Sequence, residues 1–297
     1  MPRFRLAAVC LATAFFASCS QKEEVAPVTP PTQPPVTPPT TPVVPPLSVH
    51  LTMGNPSGAA ADEALTTNFL LLKPQYALSY HRDRGIPNWV SWHLSASWLG
   101  SAARQDDFRA DATLPTGWHR PGSSSYSGSG FDRGHNCPSA DRTATVADNS
   151  ATFLMSNMIP QAPRNNQQTW NNLEGYCRTL VGQGHELYVI MGQYGTGGTG
   201  ANGYKTSVDA GRVTVPKRIW KVIVVLPVGD DDLTRVNSAT RVIAVDTPNE
   251  NTVSTTWGSY RTSVDAIEAA TGYDLLSAVS PAVQEVLEAR VDSGPVQ

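Results

Sequence analysis

The sequence predicts an α+β domain in which an antiparallel sheet carries helices on its faces. Three observations lead there. Residues 220–226 form a nearly continuous apolar run, as a central strand covered on both faces requires. Residues 76–80 and 88–94 alternate with the period of strands. Residues 165–178 and 263–271 read instead as helices, which supply the covering layers.

Taken in order, the chain opens with an export signal over residues 1–18. Arg3 and Arg5 form a positive start, and residues 6–18 an apolar stretch too short to span a bilayer comfortably. The signal ends Phe16-Ala17-Ser18-Cys19, which is similar to a bacterial lipoprotein cleavage box, with Phe16 where Leu is common. Cys19 then becomes the lipidated first residue of the mature chain, anchoring it to the cell envelope; ordinary secretion is the alternative. Residues 19–48 form a tether rich in Pro and Thr, which buries too little apolar surface to offset its ordering entropy. Its prolines favour extended polyproline II at about 3.1 Å per residue. The folded domain occupies residues 49–297.

Within that domain residues 59–70 read as a short helix, and residues 76–80 as an edge or half-buried strand. Residues 88–94 form a second strand whose tryptophans, Trp89 and Trp92, suit a core. Residues 187–192, 220–226 and 240–246 supply further strands. The glycine-rich stretch 195–203 has no phosphate-loop lysine and precedes no helix, so it reads as a hairpin loop. Gly272 stops the helix over 263–271, and Ser280-Pro281 starts a last one as N-cap and first helical residue.

The net charge of −3 gives no global basic footprint. Any nucleic-acid role must therefore rest on local arginines in a cleft. Cys137 and Cys177 are the thiols left in the domain once Cys10 and Cys19 are set aside, and no Cys-x-x-Cys spacing suggests structural zinc. They fit either two buried thiols or a disulfide closing a loop of about 40 residues.

The chemistry is concentrated in Phe131-Asp132-Arg133-Gly134-His135-Asn136-Cys137-Pro138. A histidine accepts a proton near neutral pH, an arginine suits phosphate oxygens, and a glycine lets the backbone approach a ligand or turn sharply. The plain alternative makes Asp132 and Arg133 a surface ion pair and His135 a packed residue. The helix over 165–178 adds Asn166 and Glu174, about 80° apart around an ideal α-helix and about 12 Å apart along it. Both cannot grip one small ion directly unless the helix start bends, but one can hold a metal-bound water, as Mg²⁺ favours.

Together with Ser156-Asn157-Met158-Ile159-Pro160-Gln161, these stretches resemble the DNA/RNA non-specific endonucleases, the ββα-metal nucleases to which endonuclease G is related. The resemblance runs from about Leu51 to the C-terminal helix. It implies a ββα-metal active-site motif inside the α+β fold, with His135 as general base. It further implies Asn166 as the one direct protein ligand to a hydrated Mg²⁺, with Mn²⁺ as a substitute, and Glu174 contacting that metal through water. Arg104, 31 residues before His135, would bind phosphate together with Arg133 and Arg178, and Asn157 would support the histidine or the loop beside it. The implied substrates are DNA and RNA cut without sequence preference, leaving 5′-phosphate ends. An inhibitor protein is a further candidate partner. The alternatives are a phosphodiesterase for small nucleotides and an inactive lipoprotein that binds nucleic acid.

Overall fold

The computed structural model describes residues 48–297. The signal, Cys19 and the tether up to residue 47 lie outside the described residues. The strands are β1 (Phe69–Leu72), β2 (Ala77–His81), β3 (Ile86–Leu94), β4 (Asp132–His135), β5 (Met158–Gln161), β6 (His185–Tyr194) and β7 (Gly198–Gly200). They continue with β8 (Gly203–Lys205), β9 (Ser207–Val208), β10 (Val213–Thr214), β11 (Arg218–Pro227), β12 (Arg241–Pro248) and β13 (Arg261–Thr262). The α-helices are α1 (Val146–Ala151), α2 (Asn171–Gly182), α3 (Asp232–Arg235), α4 (Val264–Thr271) and α5 (Pro281–Ala289).

Seven strands form one antiparallel sheet in the order β1–β2–β3–β6–β11–β12–β13. The apolar run that predicts a central strand is β11, paired with β6 and β12 along its length. Its alternate residues enter two different cores. Ile219, Ile223 and Val225 join α2's Leu173, Cys177, Leu180 and Val181 on one face. Trp220, Val222 and Val224 meet Val264, Ile267 and Leu287 of α4 and α5 on the other. Burial on both faces is why the strand tolerates no polar alternation.

Three expectations need correction. Residues 59–70 form no helix: Ala60 bridges Phe69, and Phe69, Leu70 and Leu71 are buried as β1. Pairing with β2 outweighs the weak helical preference of a stretch that contains Thr66, Thr67 and Asn68. β2 is an interior strand between β1 and β3, with Ala77–Tyr80 buried, not an edge. Ser280 precedes α5 but its side chain makes no capping bond, so Pro281 alone marks the start. The other end behaves as expected: α4 stops at Gly272, whose φ of 75° is cheap only for glycine.

Cys137 and Cys177 are separate buried thiols, both pushed up to about 12 by burial. Stretch 195–203 is a hairpin loop with β7 and β8, as expected, and Ala201 N donates to Gly130 O at 2.7 Å, docking it on the lead-in to β4. Strands β4 and β5 pair with each other, outside the large sheet. With the helix that follows them they form a ββα unit.

Candidate active site

His135 closes β4, opposite Met158 of β5. This short ladder explains Gly134. A Cβ at that position would lie 2.3 Å from Gln161 Oε1 and 2.6 Å from Gln161 Cβ, so the glycine makes room for a fully buried glutamine. The requirement comes from a neighbouring side chain, not from a ligand or a turn. Beyond His135, the buried Asn157 ties the chain down. Its Nδ2 donates to Cys137 O and Thr152 O at 2.9 Å each, and its Oδ1 accepts from Cys137 N at 3.0 Å. Asn157 therefore fixes the segment after the histidine and does not line the cleft.

The helix after β5 begins unusually. Residues Asn165–Trp170 are π-helical and only then does α2 follow. The wider winding displaces Asn166 from the direction that an ideal α-helix assigns it relative to Glu174. Both side chains now line one cavity of about 200 Å³, with Arg104, Arg133, His135 and Arg178. Of the expected residues, all but Asn157 meet there. A second cavity of about 400 Å³ adjoins it, sharing Arg104, Arg133 and Asn166. His119 takes no part, being bonded to Asp209 at 2.6 Å.

Asp132 has a different role from a surface ion pair with Arg133. Its Oδ2 accepts from Asn166 Nδ2 at 2.8 Å and Gln167 Nε2 at 2.9 Å. Holding the amide nitrogen leaves Asn166 Oδ1 as the group free to meet a cation. Arg133 stacks instead on Phe108, its guanidinium carbon 3.6 Å from the ring centroid. Arg104 lies 4.9 Å from the Phe153 centroid and donates to Ser139 Oγ at 2.8 Å and Asp106 Oδ1 at 2.7 Å. Its loop is held by Asn149 on α1, which accepts from Gln105 N and donates to Ser139 O.

The imidazole of His135 stands edge-on to Phe108 and Phe153, at 5.6 and 5.0 Å between centroids. Its Nε2 is buried without a partner among the described residues. Burial, then the charges of Arg104 and Arg133, lower its pKa to about 3, so the ring is neutral and carries a lone pair. On the opposite wall, Glu174 Oε1 accepts from Lys221 Nζ at 3.1 Å, and Arg178 Nη1 donates to Asp141 Oδ1 at 2.8 Å. Burial raises the Glu174 pKa, and Lys221 is the strongest influence opposing it.

Asn166 Oδ1 and the Glu174 carboxylate are hard oxygen donors few in number, which fits a hydrated divalent cation. A second group, His93, Glu186 and Asp232, brings donors within 4.8 Å of one another. It lies on the sheet's other face with Tyr188, where Arg235 bonds both carboxylates and so supplies the positive charge itself. That cluster is an ion-pair network away from the cleft.

Sequence reasoning missed Phe108, Phe153, Asp141 and Lys221. Lys221 leaves a local trace, as a lone cation inside an apolar strand, and Asp141 follows His135 by six residues, whereas Phe108 and Phe153 are brought in from other segments.

The family model described as DNA/RNA non-specific endonuclease matches residues 57–282. A nuclease from Nostoc sp. is 53% identical over 247 residues, covering 83% of this chain and 87% of that protein. Human mitochondrial endonuclease G is 35% identical over 165 residues, 53% of this chain and 54% of that protein. Among solved structures, a chain of the EndoG/EndoGI complex matches with a TM-score of 0.62 at 24% identity. That match covers 78% of this chain and 91% of the other, and bears on the fold alone.

Proposed function

Because the chain belongs to the DNA/RNA non-specific endonuclease family, and is thus a hydrolase acting on nucleic acids, we propose that it cuts within DNA and RNA strands with His135 as general base. The observation that carries this reading is the single cavity lined by His135, Asn166, Glu174 and three arginines.

A phosphodiester entering there meets Arg104, Arg133 and Arg178. Their positive charge stabilises the charge that builds on the phosphorus centre. The same anion offsets the two arginines that depress His135, so the imidazole gains proton affinity when a water has to be deprotonated. General-base action of this kind contributes about 10²–10⁴-fold. Asn166, oriented by Asp132, would hold a divalent metal, and Glu174 would orient that metal's waters. When bound, a hydrated Mg²⁺ supplies positive charge and an acidic water beside the leaving oxygen. Attack opposite the 3′ oxygen leaves 5′-phosphate and 3′-hydroxyl ends. None of these groups reads a base edge, and phosphate contacts position without specifying sequence.

Nicking of supercoiled plasmid and cleavage of RNA, supported by Mg²⁺ and abolished by chelator, test the proposal. Intact plasmid alongside hydrolysis of a chromogenic diester would point to a small-nucleotide phosphodiesterase. Retarded plasmid without cleavage would indicate an inactive binder. For localisation we propose a lipid on Cys19, with the nuclease held at the cell envelope. Labelled fatty acid should enter the wild-type chain and not the Cys19→Ser variant.

A further inference from the structure

Lys221 sits in the middle of β11, opposite Met191 of β6 and Val245 of β12. It is 1% exposed. Its neighbours on the same face of the strand are Ile219, Ile223 and Val225, packed beneath α2. Lysine is almost never fully buried unless paired, and an apolar residue of similar volume would fill such a place at lower cost. Among the described residues the side chain has one hydrogen-bond acceptor, Glu174 Oε1 at 3.1 Å. The faces of Trp92 and Trp170 lie 5.4 and 5.1 Å from Nζ.

Glu174 is the opposite case. It lines the catalytic cavity, and its Oε2 has no hydrogen-bond partner among the described residues. One oxygen is thus turned inward to the sheet and the other left for the cleft. The remaining charges of the wall are already matched, since Arg178 and Trp92 Nε1 both bond Asp141.

We propose that Lys221 is a positioning residue for the reaction: from beneath the helix it grips the inner oxygen of Glu174 and presents the outer one to the cavity. This rests on the reading of Glu174 as an active-site group. The strand makes a rigid base for that grip, being paired on both edges, so the central sheet fixes a side chain carried by α2. A methionine at 221 would keep the packing and leave Glu174 partly buried, without its partner and free to turn.

A double-mutant cycle tests this with Lys221→Met, Glu174→Gln and the double variant, each measured for plasmid cleavage and for its urea midpoint. Lys221→Met should lower kcat about tenfold or more with KM within about threefold. Added to Glu174→Gln it should cost no further activity. The urea midpoint should fall in Lys221→Met and recover in the double variant, where neither charge is left alone. Full kcat in Lys221→Met, or losses that simply add, would overturn the proposal. Should Lys221→Met prove too unstable to purify, the double variant decides: activity equal to Glu174→Gln supports the coupling, and much lower activity overturns it. Undiminished kcat in Glu174→Gln would instead overturn the role of Glu174, while the urea series still shows whether the two residues form a pair.

Discussion

Replacing Asp132 with alanine removes the acceptor that fixes Asn166. The lost contact is a 2.8 Å bond from an amide to a carboxylate. Hydrogen bonds to charged groups are worth about 1.5–3 kcal/mol, and the lower end applies because Asp132 is only half-buried. About 1.4 kcal/mol is a factor of ten. Without it the Asn166 amide is free to present either its oxygen or its nitrogen to the cleft. The Mg²⁺ concentration for half-maximal activity should therefore rise about tenfold, the low end of effects seen when a ligand loses its supporting contact. Asp132→Asn keeps a neutral acceptor of roughly half the strength, so its shift should be about threefold. The assay is the initial rate of plasmid nicking across a Mg²⁺ titration, with metal binding to the free protein followed by calorimetry. Rates at saturating Mg²⁺ should stay close to wild type. An unchanged Mg²⁺ requirement in a folded Asp132→Ala protein would refute the reasoning, as would a loss of rate that saturating metal does not restore.

His135→Ala should lose about 10²-fold or more in kcat while substrate binding changes little; near-normal cleavage would remove it from the base role. Its folded pKa, about 3, lies below the unfolded value of 6.5. The neutral form thus contributes stability that is fully present above about pH 6.5 and lost as pH falls toward 3. His50, lowered to about 4 by burial, acts in the same direction, so His135→Gln should flatten that part of the stability curve without abolishing it. An identical curve in wild type and variant would contradict the burial argument. Gly134→Ala should destabilise the fold by about 1–3 kcal/mol through overpacking against Gln161, and adding Gln161→Ala should recover part of the loss in urea melts; no recovery would place the clash elsewhere. Cys137 and Cys177 should resist alkylation in the native protein and both react after denaturation, whereas a linked pair of peptides in a non-reduced digest would show a disulfide.

Much of the architecture is legible in the sequence because its signals are local. A strand buried on both faces has to be apolar along nearly its whole length, and residues 220–226, with Lys221 as the exception, declare β11 on that ground alone. Gly272 ends a helix because its backbone geometry requires glycine. Residues 59–70 mislead for the complementary reason: the short apolar stretch at their end takes its conformation from β2, which lies outside the window being read. The candidate site divides in the same way. Asp132, Arg133, Gly134 and His135 are visible as a motif, and Asn166 and Glu174 as polar residues on one helix.

What the motif cannot show is the purpose of each member. Asp132 looks like a partner for Arg133 and in fact orients Asn166; Gly134 looks like a concession to ligand or turn and makes room for Gln161. Helical spacing alone separates Asn166 from Glu174, yet in the folded chain the helix starts with a π-helical stretch and both side chains line one cavity. The fold class, the family resemblance and the residues available for chemistry are legible along the chain, because each of these depends on composition and spacing over a few turns or strands. Which charges meet depends on how distant segments pack. Lys221 and Glu174 are 47 residues apart in the chain, and no local pattern encodes that a strand in the centre of the sheet lies beneath that turn of α2.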